Sequence, residues 1–120
     1  MAVNKVLVVD DSYADLENLK STVSKAGCRV VTAHSGKEAV AKAKQEKPDL
    51  VLMDIVMDEL DGYGACRQIV KDSETKDIPV VFVSTKNQRA DRLWAEKQGA
   101  RGLITKPYTA ETILAEVGKY

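Results

Sequence analysis

A doubly wound α/β sandwich, with a five-stranded parallel sheet between two layers of helices, is the fold this chain predicts. Three observations carry that expectation. Short runs rich in Val, Leu and Ile recur along the 120 residues, as strands buried in a parallel sheet do. Polar-rich segments of helix length separate them, so strands and helices alternate. Finally, four of the runs stop on chemically useful side chains: Asp10-Asp11, Asp54, Ser84-Thr85 and Lys106. Parallel strands end along one edge, which is where open α/β sheets bind their ligands.

The first strand is predicted over Lys5–Val9 and the first helix over Ser12–Ala26, where Leu16, Leu19 and Val23 share a face. Gly27 then suits the left-handed residue that commonly follows a helix. The second strand, Arg29–Ala33, leads to a helix over Ser35–Glu46. That helix opens on the capping-box pattern Ser35-Gly-Lys-Glu38 and carries Ala39, Val40 and Ala43 as its apolar stripe. Pro48 enters the third strand, Leu50–Met53, at a position where a missing amide donor costs little. Asp61 stands as the N-cap of a helix over Gly62–Lys71. Pro79 enters the fourth strand, Val80–Val83, and a helix over Asn87–Gln98 ends at Gly99. The fifth strand is Gly102–Ile104, and Thr109 caps a last helix, Ala110–Lys119, with Ile113, Leu114 and Val117 on one side. Right-handed crossovers between these elements give a three-layer α/β/α sandwich, for which the flavodoxin-like strand order 2-1-3-4-5 is the natural analogue.

Length allows one hydrophobic core, so residues 1–120 are expected to form a single domain. Lys plus Arg and Asp plus Glu are both 18, and this neutral balance argues against nucleic acid or an anionic membrane as the main partner. No segment approaches the apolar length of a membrane span, and Met1–Lys5 runs straight into a strand rather than a signal peptide. A cytoplasmic protein is expected. Cys28 and Cys66 lack any metal-binding spacing and are expected to be buried thiols, and His34 a surface residue.

The strand ends carry the chemistry. Two carboxylates at about 4 Å repel by roughly 4 kcal/mol at an effective dielectric near 20. Gathering Asp10, Asp11 and Asp54 is therefore unfavourable unless a cation is bound or one carboxyl protonates. Magnesium is the natural occupant, since it suits a site with few carboxylates that also accepts phosphate oxygens. An aspartate can also attack phosphorus. Asp54, ending the middle strand of the expected order, is the candidate phospho-acceptor. Lys106 would neutralise one phosphoryl oxygen, and Ser84 would donate to another.

At these positions the chain resembles a response-regulator receiver domain over its whole length. The matching segments are Val8-Val-Asp-Asp-Ser12, Leu52-Met-Asp-Ile-Val-Met57, Asp61-Gly62, Val83-Ser84 and Lys106-Pro107. The resemblance implies Asp54 as phospho-acceptor, a magnesium site of Asp10, Asp11, Asp54 and the Val56 carbonyl, Lys106 as phosphate-binding lysine and Ser84 as switch hydroxyl. Lys71-Asp-Ser-Glu-Thr75, Thr85-Lys-Asn-Gln88, Trp94 and Gln98-Gly-Ala-Arg101 further resemble the PilH group of single-domain regulators, in chemotaxis-like systems that control type IV pilus motility. This implies a CheA-like histidine kinase as phosphodonor, an output through protein contact or a phosphate-sink role, and a monomer. With the last helix ending near Tyr120, no room for a DNA-binding effector is expected.

Three positions depart from the family pattern. Asp58 stands where receivers usually carry Pro, Thr85 where Ala or Gly is usual, and Leu103 where many have an aromatic switch residue. A more acidic loop after Asp54, narrower access to the phosphoryl group and a readout without a rotating ring are the corresponding expectations. Trp94 is expected to pack partly into the core, beside Leu93 against the sheet, with an interface anchor as the alternative. Asp15, Lys20 and Lys25 read as a solvated helix face. Two other classes compete: a haloacid-dehalogenase-type phosphatase and a flavodoxin. The first would show DxDx[TV] where this chain reads Asp10-Asp-Ser-Tyr, and the second a hydroxyl-rich phosphate loop in place of two carboxylates.

Overall fold

Strands β1 (Lys5–Val9), β2 (Arg29–Ala33), β3 (Leu50–Met53), β4 (Val80–Ser84) and β5 (Gly102–Thr105) form one parallel sheet in the order β2-β1-β3-β4-β5. The computed structural model describes residues 3–120, so the first two residues of the Met1–Lys5 lead-in lie outside the described residues. Helices α1 (Tyr13–Ser24), α2 (Gly36–Glu46), α3 (Gly62–Lys71), α4 (Arg89–Lys97) and α5 (Ala110–Val117) alternate with the strands. The expected flavodoxin-like fold is the fold observed.

Alternation along each strand divides the core in two. Leu7, Val9, Val51, Met53, Val80 and Phe82 face α2, α3 and α4, meeting Ala39, Ala43, Ala65, Cys66, Ile69 and Ala95. Their neighbours Val6, Val8, Leu50, Leu52, Val81, Val83 and Ile104 face α1 and α5, meeting Leu16, Leu19, Val23, Ile113 and Val117. Every residue of β3 is buried, as a strand covered on both faces must be. None of the described helices is long and apolar enough to cross a membrane.

Helix ends differ from the sequence expectation at several places. Ser12 is the N-cap of α1, its Oγ accepting from Asp15 N at 3.3 Å, and the helix stops two residues early. Ser35 caps α2 by accepting from Glu38 N at 3.1 Å, but the Glu38 carboxylate reaches one residue further back, to His34 N at 2.7 Å. Lys47, a non-glycine with φ of 48°, ends that helix, which no glycine signalled. α4 starts only at Arg89, where Asp91 Oδ2 accepts from Gln88 N at 3.2 Å. Gly27 and Gly99 do adopt left-handed φ values of 88° and 96°. Leu114 does not join the stripe of α5: it points outward while Ile113 and Val117 are buried.

Register brings the functional strand ends into line. Val9 pairs with Met53, so Asp10 and Asp54 leave neighbouring strands side by side. Ser84 pairs with Thr105, so Lys106 follows one residue past the partner of Ser84. Cys28 and Cys66 are free and buried, as expected, and burial pushes the Cys66 thiol up to about 12, which keeps it protonated.

Candidate functional site

The site lies past the C-terminal ends of β1, β3, β4 and β5, where backbone bonds hold Asp10 and Asp54. Asp54 N donates to Val9 O at 3.0 Å and Asp10 N to Ala33 O at 3.2 Å, so both turns remain stitched to the sheet. The chain after Asp54 folds back at once, with Gly62 N donating to Ile55 O at 2.8 Å. A Cβ on Gly62 would collide with the Asp54 carbonyl oxygen and come within 2.8 Å of Ile55 Cα. Glycine is thus required there by close approach of backbone to backbone. The sequence showed Gly62 as a helix start and as part of the matching Asp61-Gly62 segment, but not this reason for it.

Carboxylate oxygens of Asp10, Asp11 and Asp54 all lie within 4.8 Å of one another. Asp10 is buried, Asp54 is partly buried and Asp11 is exposed. Asp10 Oδ1 accepts from Ser12 N at 2.9 Å, and Asp54 Oδ1 accepts from Ile55 N at 2.7 Å. Lys106 Nζ donates to Asp10 Oδ2 at 2.8 Å and to Asp54 Oδ2 at 3.4 Å. Burial raises the Asp10 pKa; the Lys106 and Ser12 hydrogen bonds oppose this, and the Asp54 charge adds to it. For Lys106, burial alone would lower the pKa, but hydrogen bonds to Asp10 and Asp15 and the Asp54 charge outweigh it and raise the value. An ammonium so placed stays charged throughout the physiological range.

Sequence reasoning missed Asp15. Though its side chain is half exposed, Oδ2 accepts from Lys106 Nζ at 2.9 Å, nearly as close a contact as that of Asp10. Its position in the first turn of α1, directly after a strand end, was the only signal available. The next turn of the helix touches the same loop, with Asn18 Nδ2 donating to Tyr108 Oη at 3.1 Å. A cleft of about 340 Å³ opens here, lined by Asp15, Asn18, Thr85, Lys106, Pro107 and Tyr108.

The remaining candidates sit around this centre without joining its hydrogen bonds. Ser84 is fully buried, and its Oγ accepts from Lys86 N at 3.3 Å. Val56 lies in the loop beyond Asp54 with its side chain exposed, followed by exposed Asp58 and Glu59, the acidic loop expected. Leu103 is partly buried against the core, and its carbonyl accepts from Arg92 Nη1 at 3.3 Å. Trp94 is partly packed, but on Tyr63 rather than on the sheet. Trp94 and Leu93 are both about half exposed, and the indole meets the Tyr63 ring edge-on at 6.4 Å, because Ala95 takes the buried position of the helix. His34 is exposed, as expected.

The profile of the response regulator receiver domain matches residues 6–118. The protein PilH of Pseudomonas aeruginosa is 48% identical over 113 residues, which cover 94% of this chain and 93% of that protein. Protein PilG of the same organism is 34% identical over 113 residues, covering 94% and 84% respectively. Among solved structures, the Vibrio cholerae chemotaxis protein CheY4 is similar with a TM-score of 0.92 and 30% identity over 98% of each chain.

Proposed function

The chain belongs to the response regulator receiver family, and we propose that it is a phospho-switch in which Asp54 accepts a phosphoryl group. The observation that carries this reading is the convergence of Asp10, Asp11 and Asp54 within 4.8 Å, with the Lys106 ammonium bonded to two of them. Mutual repulsion among three hard oxygen donors fits a divalent cation, and magnesium would be held by Asp10, Asp11, Asp54 and the Val56 carbonyl. When bound, it supplies positive charge for the oxygens of the transferring phosphoryl group.

The residues divide the work. Asp54 is the nucleophile: its carboxylate forms the new oxygen–phosphorus bond as the bond to the donor's leaving group breaks. The Ile55 amide on Oδ1 holds the carboxylate in a fixed orientation before attack. Lys106 follows the negative charge as it moves outward onto the phosphoryl oxygens. Ser84 gives up Lys86 N and turns its hydroxyl to another of those oxygens, drawing in the loop that precedes α4.

The donor in this reading is a CheA-like histidine kinase, and the output is a protein contact or the draining of phosphoryl groups from a shared kinase. Kinship with PilH, PilG and a chemotaxis protein favours chemotaxis-like control of type IV pilus motility. The chain acts as a cytoplasmic, monomeric, single domain that catalyses only its own phosphorylation and dephosphorylation. Intact mass after treatment with acetyl phosphate and magnesium tests the core of this. One adduct should form, be absent in Asp54→Asn, and be nearly lost in Asp11→Ala or in excess chelator. Equal adduct in Asp54→Asn would remove the assignment.

A further inference from the structure

Lys106 is shared more widely than the proposed chemistry requires. Its Nζ is bonded to Asp10 at 2.8 Å and Asp54 at 3.4 Å, and also to Asp15 at 2.9 Å. Asp10, Asp11, Asp15 and Asp54 thus gather about one ammonium, so carboxylates outnumber positive charges at the site even when a divalent cation is bound. Resting on the reading of Asp54 as acceptor, we propose that Asp15 is a positioning residue that sets the choice of phosphodonor. It competes with the incoming phosphoryl group for Lys106, and so disfavours doubly negative donors relative to donors whose leaving nitrogen carries a proton.

Exposure decides which partner Lys106 can release. The side chains of Asp10 and Asp54 are 3% and 12% exposed, whereas that of Asp15 is 51% exposed. Water replaces the ammonium at Asp15 at little cost, but neither inner carboxylate has that option. Asp15 also lines the cleft of about 340 Å³ that opens onto Lys106, so a donor using that cleft meets its charge. The bond from Asn18 to Tyr108 ties the next turn of α1 to the same loop, which keeps the Asp15 carboxylate near its place.

Transfer places one Asp54 oxygen on phosphorus while the donor's bond to phosphorus breaks. From acetyl phosphate the electron pair leaves on acetate; from phosphoramidate, protonated on nitrogen, it leaves on neutral ammonia. The first donor brings two negative charges at neutral pH and the second only one net charge. A carboxylate at the rim therefore repels acetyl phosphate more. Phosphohistidine, an N–P donor that can be protonated on the ring, falls in the favoured class.

Phosphorylation rates of the full chain with acetyl phosphate and with phosphoramidate, followed by intact mass, test the proposal in wild type, Asp15→Asn, Asp15→Ser, Asp15→Glu and Asp54→Asn. Both neutral substitutions should raise the acetyl phosphate rate by up to about fivefold, the range of a half-exposed ion pair. The phosphoramidate rate should rise less, so the ratio of the two shifts. Asp15→Glu should keep the wild-type ratio, and added salt should shrink the shift. An unchanged ratio in both neutral variants, or equal slowing with both donors, would overturn the role of Asp15 and leave Asp54 standing. No adduct in wild type, or an undiminished one in Asp54→Asn, would overturn the acceptor reading and this proposal with it.

Discussion

Asp10 is the most deeply buried of the clustered carboxylates, and its ionised form is held against the preference of its surroundings. Burial raises its pKa above the ordinary 3.8 despite the bonds from Lys106 and Ser12. The native state therefore binds that proton more tightly than the unfolded chain does. Ionised Asp10 lowers stability at pH values above the raised pKa, and the penalty disappears as the pH falls through that value towards 3.8. Asp10→Asn is accordingly expected to raise the melting temperature at pH 7 without divalent cations. A gain of about 1 kcal/mol would amount to roughly 4 °C in a domain of this size. Calorimetry should find the advantage narrowing as the pH is lowered, and a lower melting temperature at pH 7 would contradict the sign.

At the scale of elements, α4 is the helix least anchored to the core, with Ala95 its one buried residue. Its other ties include the Tyr63–Trp94 contact, a bond from Tyr63 Oη to Asp91 O at 3.4 Å, and Arg92 Nη1 and Nη2 reaching Leu103 O and Thr105 Oγ1 at 3.3 and 3.5 Å. Thr105 pairs with Ser84 in the sheet, so these bonds tie the helix to the strand end next to Ser84, the proposed switch hydroxyl. Few buried contacts mean a low free energy of local opening. Amides of α4 should exchange roughly a hundredfold faster than those of β4 in the unphosphorylated protein. Phosphorylation of Asp54 should then alter protection across Ser84–Leu103, since moving Ser84 disturbs the support of this helix. Identical protection in the two states would sink the Ser84 route.

For the whole molecule, the sheet is the common wall of two cores, and β3 at its centre is buried along its full length. Leu52 contributes to the core under α1 and α5, while Met53 and Val51 contribute to the other. Leu52→Ala should cost about 2–5 kcal/mol in urea unfolding, a large part of the stability of a small domain. The midpoint should fall with the slope unchanged, because the surface exposed on unfolding is the same. A loss under about 1 kcal/mol would mean that this core collapses into the gap far more readily than close packing allows.

The sequence by itself determined the five strands, the five helices and the carboxylates and lysine at the strand ends. Those features are local: burial on both faces shows as unbroken Val, Leu and Ile, and a strand end is read where the run stops. Tertiary structure decided which groups meet. Asp15 and Lys106 are 91 residues apart, and their bond depends on how the first turn of α1 and the loop after β5 meet past the strand ends, which no periodicity records. The need for Gly62 appears only when the chain after Asp54 folds onto its own backbone. Trp94 and Leu114 look like core residues by hydrophobicity, yet the tilt of each helix on the sheet admits Ala95 in one case and Ile113 and Val117 in the other. Packing geometry sets that rotation, because hydrophobic residues outnumber the inward positions a short helix can offer.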